Sequence, residues 1–315
     1  MKPECSCLSN SNPLASENRT LVVACGFYSR KSDQVRVQRY RCQNCKKSFS
    51  DASYSACFGQ KKRQFNGAVL KYLVSGVSQR RASLLLGINR KTVVRKFIFL
   101  GQAANIFLPQ INDLHPKVNI MEFDDLETFE HSKCKPLSVT LAVEQGSRRI
   151  LGFRVSSMPA KGKLSAIARK RYGRRKDDRK KARNDLFQEL RTTIAEEALI
   201  KSDQNPHYIS DVQKHFPKAR HETHKGRRGC VVGQGELKRG GFDPLFSLNH
   251  TCAMLRANIN RLFRRTWCTT KLQDRLSYHI AIYALFHNLV LLHPKKQESD
   301  SCIRSNLLSF SRGTY

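Results

Sequence analysis

Three short β-rich segments lie close together between residues 118 and 157, and they constrain the fold more than any other feature of the sequence. They read "VNIMEF", "LSVTLAVE" and "RILGFRVS", and polar turns such as "EQGSRR" separate them. β-branched and aromatic residues bounded by turn residues in this way are typical of strands. A helical stretch at 184–197 and a further strand, "ALIKSD", follow. Strands succeeded by alternating helix and strand predict a mixed α/β sheet.

The charge of the chain is strongly one-sided. Its 315 residues include 57 Lys and Arg against 25 Asp and Glu, a formal net charge of +32, and 40% are hydrophobic. This apolar content supports a buried core, while the excess of positive charge indicates a polyanionic partner, nucleic acid before an anionic membrane. The longest apolar stretch, 280–292, is interrupted by His287 and Asn288 and is shorter than the ~20 residues of a transmembrane helix. It therefore predicts a buried helix.

The first residues, "MKPECSCLSN", contain no apolar signal core, which predicts a cytoplasmic protein. In that compartment the eleven cysteines are expected to be reduced thiols or metal ligands rather than a disulfide framework.

Residues 1–60 predict a zinc-ribbon-like module. A C-x-x-C motif within "RCQNCKK" can direct two thiolates at one zinc ion, and an upstream C-x-C is the natural second pair. The predicted ligands are Cys5, Cys7, Cys42 and Cys45. Cys25 is an alternative ligand from the upstream region. A zinc site would fold a segment that has little core and would present basic side chains to phosphates. These side chains are Arg39, Arg41, Lys46 and Lys47.

Residues 61–110 contain three short helical patterns in "FNGAVLKYLVSGVSQRRASLLLGINRKTVVRKFIFLGQ". Gly76 and Gly87 are predicted to end the first two helices, and Ser78 and Asn89 to cap the second and third. This spacing predicts a helix-turn-helix with its recognition helix in the major groove of DNA; the alternative is a plain helical hairpin with a solvated basic face. The side chains expected to face DNA are Arg90, Lys91, Arg95 and Lys96.

The segment "MEFDDLETFEH", residues 121–131, contains five of the 25 acidic residues of this basic chain. Carboxylates at the end of a buried strand are unfavourable unless positive charge lies against them. The protein's own Lys and Arg could supply that charge in salt bridges. The other interpretation is two Mg²⁺ ions, which promote phosphoryl transfer and prefer carboxylate oxygens. Asp203, the last residue of "ALIKSD", is a second acid at a strand end, where α/β sheets form their sites.

The order of these features resembles that of an insertion-sequence transposase of the DDE class over nearly the whole chain. The motifs that carry the resemblance are "QRYRCQNCKKSFS", "DDLETF" with its following strands, "SDQNPHY" and the "LR…RLFRRT" helix. The resemblance implies an RNase H-like catalytic domain at 117–295, preceded by the zinc and helix-turn-helix modules. It also implies a basic insertion near 160–197, and a polar tail follows at 296–315.

The resemblance assigns the catalytic acids by position. It implies that Asp124 and Asp203 are the first two acids and bind Mg²⁺ or Mn²⁺; side-chain alternation alone allows Asp125 as readily as Asp124. The third acid of the family, a Glu at the start of the last helix, corresponds to Asn249, which His250 follows. We predict His250 as the third metal ligand, because "FDPLFSLNH" places it in the first turn of the helix where the family has its Glu, and imidazole tolerates Mn²⁺ as well as Mg²⁺.

Residues other than His250 could also take the place of the missing third carboxylate. Asn249 can take the third place itself, or Glu236 or Asp243 can reach the site from the glycine-rich loop "VVGQGELKRGGFDPLF". Asn249 and His250 can also be no more than helix caps, or the enzyme can be inactive. The two histidines of "KARHETHKGRR" are interpreted as part of a phosphate-contacting loop rather than as metal ligands.

Basic side chains beside the apolar stripe of the last helix are expected to contact phosphates near the scissile bond. These are Arg256, Arg264 and Arg265, and Trp267 is a candidate for stacking on a frayed base. The chain is thus predicted to bind the terminal inverted repeats of an element, hydrolyse a phosphodiester at each end and join the 3′-hydroxyl to target DNA. Two ends imply at least a homodimer on DNA, associated with the nucleoid. The alternatives are a DNA-binding regulator with a decayed core and a structure-selective RNase H-like nuclease.

Overall fold

The computed structural model describes residues 5, 7, 21–31, 34–225, 243–263 and 266–292. The chain divides into two compact units, Met1–Ala68 with Glu298–Tyr315, and Val69–Gln297. No helix within the described ranges is long and apolar enough to cross a bilayer.

The first unit is built on a three-stranded antiparallel sheet. Its strands, in spatial order, are β1 (Val22–Ser29), β2 (Arg36–Cys42) and β3 (Ser48–Ser50). Among its described residues, Cys5, Val22 and Cys42 form a buried cluster. Tyr40 and Phe49 pack against this cluster, and their rings stack on each other with centroids 5.7 Å apart. A cluster of this size contributes little hydrophobic stabilisation by itself.

Three helices follow, α1 (Asn66–Val74), α2 (Gln79–Leu85) and α3 (Arg90–Asp113). The two predicted N-caps are confirmed: Ser78 accepts a hydrogen bond from the amide of Arg81, and Asn89 accepts one from Lys91. The expected end of the third helix near residue 100 is wrong, because buried apolar side chains continue at helical spacing through the next turns. These are Leu100, Ala104, Leu108 and Ile111.

The second unit contains a five-stranded mixed sheet, which confirms the predicted α/β class. The strands are β4 (Val118–Phe129), β5 (Pro136–Glu144), β6 (Ile150–Ser157), β7 (Ile194–Asp203) and β8 (Arg220–His224). Their spatial order is β6-β5-β4-β7-β8; β4, β5 and β6 pair antiparallel, whereas β7 joins β4 and β8 joins β7 in parallel. The remaining helices are α4 (Leu164–Tyr172), α5 (Arg179–Leu190), α6 (Pro206–His215), α7 (Phe246–Asn258) and α8 (Gln273–Phe286).

Helices α5 and α6 cover one face of the sheet. The ring of Phe123 on β4 packs against Phe187 of α5 and Tyr208 of α6, with centroids 5.0 and 4.9 Å away.

The helix expected at 184–197 is α5, and it begins and ends earlier than predicted. The β-branched residues after Leu190 favour the extended backbone, and β7 has already begun at Ile194.

Helices α3, α7 and α8 pack on the sheet from the other side and on each other. Helices α3 and α8 approach closely, since a Cβ on Gly101 would lie 2.3 Å from the Cβ of Tyr278. The predicted buried helix at 280–292 is confirmed, and α8 continues into a π-helical turn, His287–Leu291. Asn288 bonds both the amide and the carbonyl of Ile150, on edge strand β6. The polar residues that interrupt the apolar stretch thus attach it to the sheet.

Candidate metal sites

The structure brings the four predicted cysteines of the first unit together. The Sγ atoms of Cys5, Cys7, Cys42 and Cys45 all lie within 4.8 Å of one another. Cys7 Sγ is 3.5 Å from Cys5 Sγ and 3.6 Å from Cys42 Sγ. Four sulfurs bound tetrahedrally to one zinc ion at ~2.3 Å would be ~3.8 Å apart, so this cluster could hold a metal such as zinc with little adjustment.

Local structure explains how these thiols meet. Cys42 ends β2, and the turn that follows returns the chain to β3, so that Cys45 comes back beside it. The amide of Cys45 lowers the pKa of Cys42 to about 7, whereas burial raises the pKa of Cys7 to about 12. Cys25, the alternative ligand, is exposed on β1 beside an irregularity in the strand pairing and lies outside the cluster.

The predicted DNA-contacting side chains of this unit are all exposed. Arg39 and Arg41 lie on β2, two residues apart and so on one face, while Lys46 and Lys47 lie in the β2–β3 connection. In the second unit Arg90, Lys91 and Arg95 are exposed on the first two turns of α3. Lys96 departs from the expectation that it faces DNA, because it is only 2% exposed.

In the second unit, most acids of the acidic stretch are bound by the protein itself. Asp125 pairs with Arg183, Glu127 with Lys161 and Glu130 with Arg175, and Glu122 accepts the amide of Leu248. Asp124 differs from them: it accepts hydrogen bonds from the amide of Asp125 and, at 3.1 Å, from the hydroxyl of Tyr208. No ion pair of Asp124 is seen within the described residues. The salt-bridge interpretation therefore accounts for its neighbours but leaves Asp124 without a counter-charge.

Asp124 and Asp203 lie side by side on neighbouring parallel strands. Ile120 of β4 is opposite Leu199 of β7, and Glu122 is opposite Lys201. The paired register ends there; Asp124 and Asp203 are each two residues further along their strands, at the carboxyl end of β7. Both side chains point to the face of Glu122, because strand side chains alternate.

The charge of Asp203 acts on Asp124. Burial and, after it, the negative charge of Asp203 raise the pKa of Asp124 to about 7. The hydroxyl of Tyr208 opposes this rise, but the pKa remains far above its ordinary value of 3.8. Two adjacent carboxylates that cannot readily both ionise indicate a site that is stabilised when a proton or a cation binds to it.

Asp125, the other acid that alternation allows, is part of a buried ion-pair network. It accepts a hydrogen bond of 2.5 Å from the Thr140 hydroxyl and lies 3.6 Å from the guanidinium of Arg183. Arg183 in turn contacts Asp211 at 2.5 Å, and both side chains are 3% exposed. Asp125 therefore joins β4 to helices α5 and α6, and Asp124 is the acid available for a ligand.

The start of α7 is fixed by carboxylates, although it carries no third acid. Glu122 accepts the amide of Leu248 at 2.8 Å, so a buried strand carboxylate caps this helix end. Asp243 accepts the amide of Leu245 and, at 2.8 Å, the side-chain amide of Asn249. Both Asp243 and Asn249 thus have structural roles at the helix terminus. Glu236, Arg264 and Arg265 lie outside the described residues.

The position of His250 does not match that of a third ligand to a metal ion held by Asp124 and Asp203, which together are the acid pair. A guanidinium nitrogen of Arg148 lies 3.3 Å from its Nδ1 and 3.2 Å from its Nε2, and burial with this positive charge lowers its pKa. Among the described residues, only the four cysteines form a group of three or more possible ligands within 4.8 Å of one another. Neither His250 nor any other described His, Cys, Asp or Glu therefore completes a compact three-ligand set with Asp124 and Asp203.

Two other side chains lie nearer to the acid pair than the sequence suggested. Cys252 of α7 is partly buried, and desolvation and then the charge of Asp124 raise its pKa to about 12. His224 is directly opposite Asp203 in the parallel β7–β8 pairing, so their side chains share a face. Its Nε2 is buried without a hydrogen-bond partner in the described part of the chain. The histidines at 221 and 224 lie on strand β8 and not in the expected loop.

No family profile matches the sequence, and no curated protein matches it. The chemistry of these sites is therefore the basis for assigning a function.

Proposed function

We propose that this protein is a DNA transposase that cleaves and joins phosphodiesters at a divalent-metal site on Asp124 and Asp203. The observation that carries the proposal is the pairing of these two carboxylates on one face of adjacent parallel strands, with a pKa for Asp124 of about 7. A Mg²⁺ or Mn²⁺ ion held there would supply the positive charge that phosphoryl transfer needs on the attacking and leaving oxygens.

The surrounding residues orient the two acids. Tyr208 donates its hydroxyl to Asp124, and the amide of Asn205 donates to Asp203 at 3.0 Å. Each carboxylate is thereby held by one oxygen, which leaves its other oxygen for a ligand. Carboxylates positioned by fixed donors suit a hard cation.

The rest of the chain supports a DNA substrate. The net charge of +32 and the exposed basic residues of β2 and α3 favour binding to phosphates. The mixed five-stranded sheet is compatible with the RNase H-like core that the family resemblance implies. We assign zinc to the four cysteines because their number and sulfur spacing suit a closed structural site.

We propose His224 rather than His250 as the third metal ligand, and its binding would require His224 to move toward the two acids, because Asp124, Asp203 and His224 do not lie within 4.8 Å of one another. His224 is the strand neighbour of Asp203, and its Nε2, which lies 4.0 Å from the carboxylate of Glu222, makes no hydrogen bond within the described residues. An imidazole nitrogen without a hydrogen-bond partner can bind a cation. His250 instead lies against the guanidinium of Arg148. A positive group at hydrogen-bond distance opposes the binding of a metal ion to the same ring.

Cleavage of labelled duplex carrying the end of the element, taken from the DNA beside the gene, tests the proposal. We expect Asp203→Asn to lower Mg²⁺-dependent cleavage by about 10²–10³-fold, since metal charge stabilisation is worth several kcal/mol. Asp185→Asn is the matched control, because Asp185 is an exposed acid on α5 and should leave cleavage unchanged.

Two histidine variants complete the experiment. His224→Ala should impair cleavage, whereas His250→Ala should retain most of it. Loss of cleavage in His250→Ala with retention in His224→Ala would instead identify His250 as the third ligand. Sequence-selective binding without cleavage by the wild type would contradict the transposase and favour the regulator, and preferential cleavage of branched DNA would favour the structure-selective nuclease.

A further inference from the structure

A cavity of about 800 Å³ lies in the second unit, where the β4–β5 connection meets α4 and the segment between α4 and α5. Five basic side chains line it: Lys135, Arg169, Arg174, Arg175 and Lys176. Cys134, Tyr172 and a single acid, Asp177, are also in its lining. The volume lies within the ~300–1,000 Å³ range of small-ligand sites.

The positive charge of this cavity is only partly neutralised by the protein. Asp177 is engaged by its neighbour Arg179, whose nitrogens lie 2.9 and 2.6 Å from its two oxygens. Arg175 contacts Glu130 at 3.3 Å through one terminal nitrogen, but its Nε is buried and has no partner within the described residues. A buried donor on a cation is costly unless an acceptor meets it, so this atom points to an anionic ligand.

The lining also contains an aromatic ring. Tyr172 is 41% exposed at the end of α4, and Lys135 Nζ lies 4.6 Å from its ring centroid. An exposed ring among cations is the combination that binds a nucleic-acid strand, with contacts to phosphates and to the flat face of a base.

The cavity lies beyond the strand that carries Asp124. Strand β4 continues from Asp124 to Phe129, and Glu130, the next residue, makes the contact with cavity residue Arg175. Six residues of extended chain span ~20 Å, a distance that a few nucleotides of a single strand can cover. A strand with its scissile phosphate at the acid pair can therefore extend into the cavity.

We propose that this cavity binds the phosphates and an adjacent base of a single DNA strand, a few nucleotides from the bond to be cleaved. This proposal rests on the proposed function for the identity of the nucleic acid. The surplus of cations, the unpartnered Arg175 nitrogen and the exposed tyrosine ring supply its chemical basis independently.

The thiol of Cys134 provides a local measurement on the intact chain. Its alkylation by iodoacetamide, followed by peptide mass spectrometry, should slow about tenfold when an oligothymidylate is present at ~10 times its dissociation constant. Labelling of the exposed Cys25 in the first unit is the internal control and should not change.

A pair of variants tests the role of charge. Arg169→Gln should raise the oligonucleotide concentration that half-protects Cys134 by about tenfold, as expected for the loss of one charge-assisted hydrogen bond. Arg171→Gln removes the same charge from the same helix at a position outside the cavity lining and should have little effect.

Several results would overturn the proposal. One is unchanged Cys134 labelling while fluorescence anisotropy shows that the oligonucleotide is bound. Another is protection by inorganic phosphate but not by the oligonucleotide, which would make this a small-anion site. DNA cleavage without Cys134 protection would refute the cavity proposal alone, and protection without cleavage would support it while the proposed catalytic function fails.

Discussion

Replacing Asp124 by asparagine is expected to make the metal-free protein more stable than the wild type at pH 8, with little difference at pH 4. Loss of a charged group from a functional site usually has no such benefit. Here the carboxylate is largely buried beside Asp203, and its pKa is raised to about 7. Ionised Asp124 is therefore unfavourable in the folded protein when no cation is bound.

The direction of the pH dependence follows from the two states of Asp124. Its ordinary pKa is 3.8, so the unfolded chain loses this proton near pH 4, whereas the folded protein keeps it until about pH 7. Wild-type stability therefore falls as pH rises between these values and stays low above them. Since one pH unit corresponds to ~1.4 kcal/mol, the full loss is at most ~4 kcal/mol.

Asparagine removes the ionisation but keeps the local geometry. Its carbonyl oxygen can still accept the hydrogen bonds from the amide of Asp125 and the hydroxyl of Tyr208. Urea unfolding followed by circular dichroism at pH 4 and pH 8 measures the difference, with the exposed Asp185→Asn as control. Added Mn²⁺ should raise the stability of the wild type but not of Asp124→Asn. A variant less stable than the wild type at pH 8 would contradict this account.

The second large effect is expected at the cysteine cluster. Cys42→Ser should reduce bound zinc from about one ion per chain to near zero and unfold the sheet of the first unit. Within the described residues, the buried cluster beside this sheet is Cys5, Val22 and Cys42, so we expect metal binding to contribute much of the stability of the unit. Zinc analysis of the purified protein and hydrogen exchange of the β1–β3 amides measure the two effects.

Cys25→Ser is the matched control for this experiment. Cys25 is an exposed thiol of the same sheet that lies outside the cluster, so its replacement should leave zinc content and exchange protection unchanged. Retention of zinc in Cys42→Ser would show that Cys42 is not a required ligand, and a folded first unit after chelation would show that metal does not hold its fold.

Local patterns in the sequence were sufficient to predict much of the fold. Strands β4 to β7 follow from β-branched runs bounded by turns, and the caps Ser78 and Asn89 follow from residue type and spacing. The same spacing could have revealed the burial of Lys96. It follows Val93 by three residues and precedes Leu100 by four, which puts it on the apolar side of α3.

The candidate site depends on contacts that local patterns do not contain. Side-chain alternation does not distinguish Asp124 from Asp125 as a metal ligand. The difference arises in the fold, which places Arg183 beside Asp125. His224 meets Asp203 through strand register, and His250 meets Arg148 across 102 residues. Pairing between distant segments is set by the packing of the whole sheet, so a single sequence read locally does not predict it.

The central claim is that Asp124 and Asp203 together hold a divalent cation, and Mn²⁺ binding at pH 7.5 tests it most directly. Electron paramagnetic resonance of free Mn²⁺ would be recorded with the intact chain, after zinc saturation to occupy the cysteine cluster. We expect binding by the wild type and by Asp185→Asn, and a loss of at least about tenfold in affinity for Asp124→Asn and for Asp203→Asn. Equal Mn²⁺ affinity in all four proteins would contradict the claim.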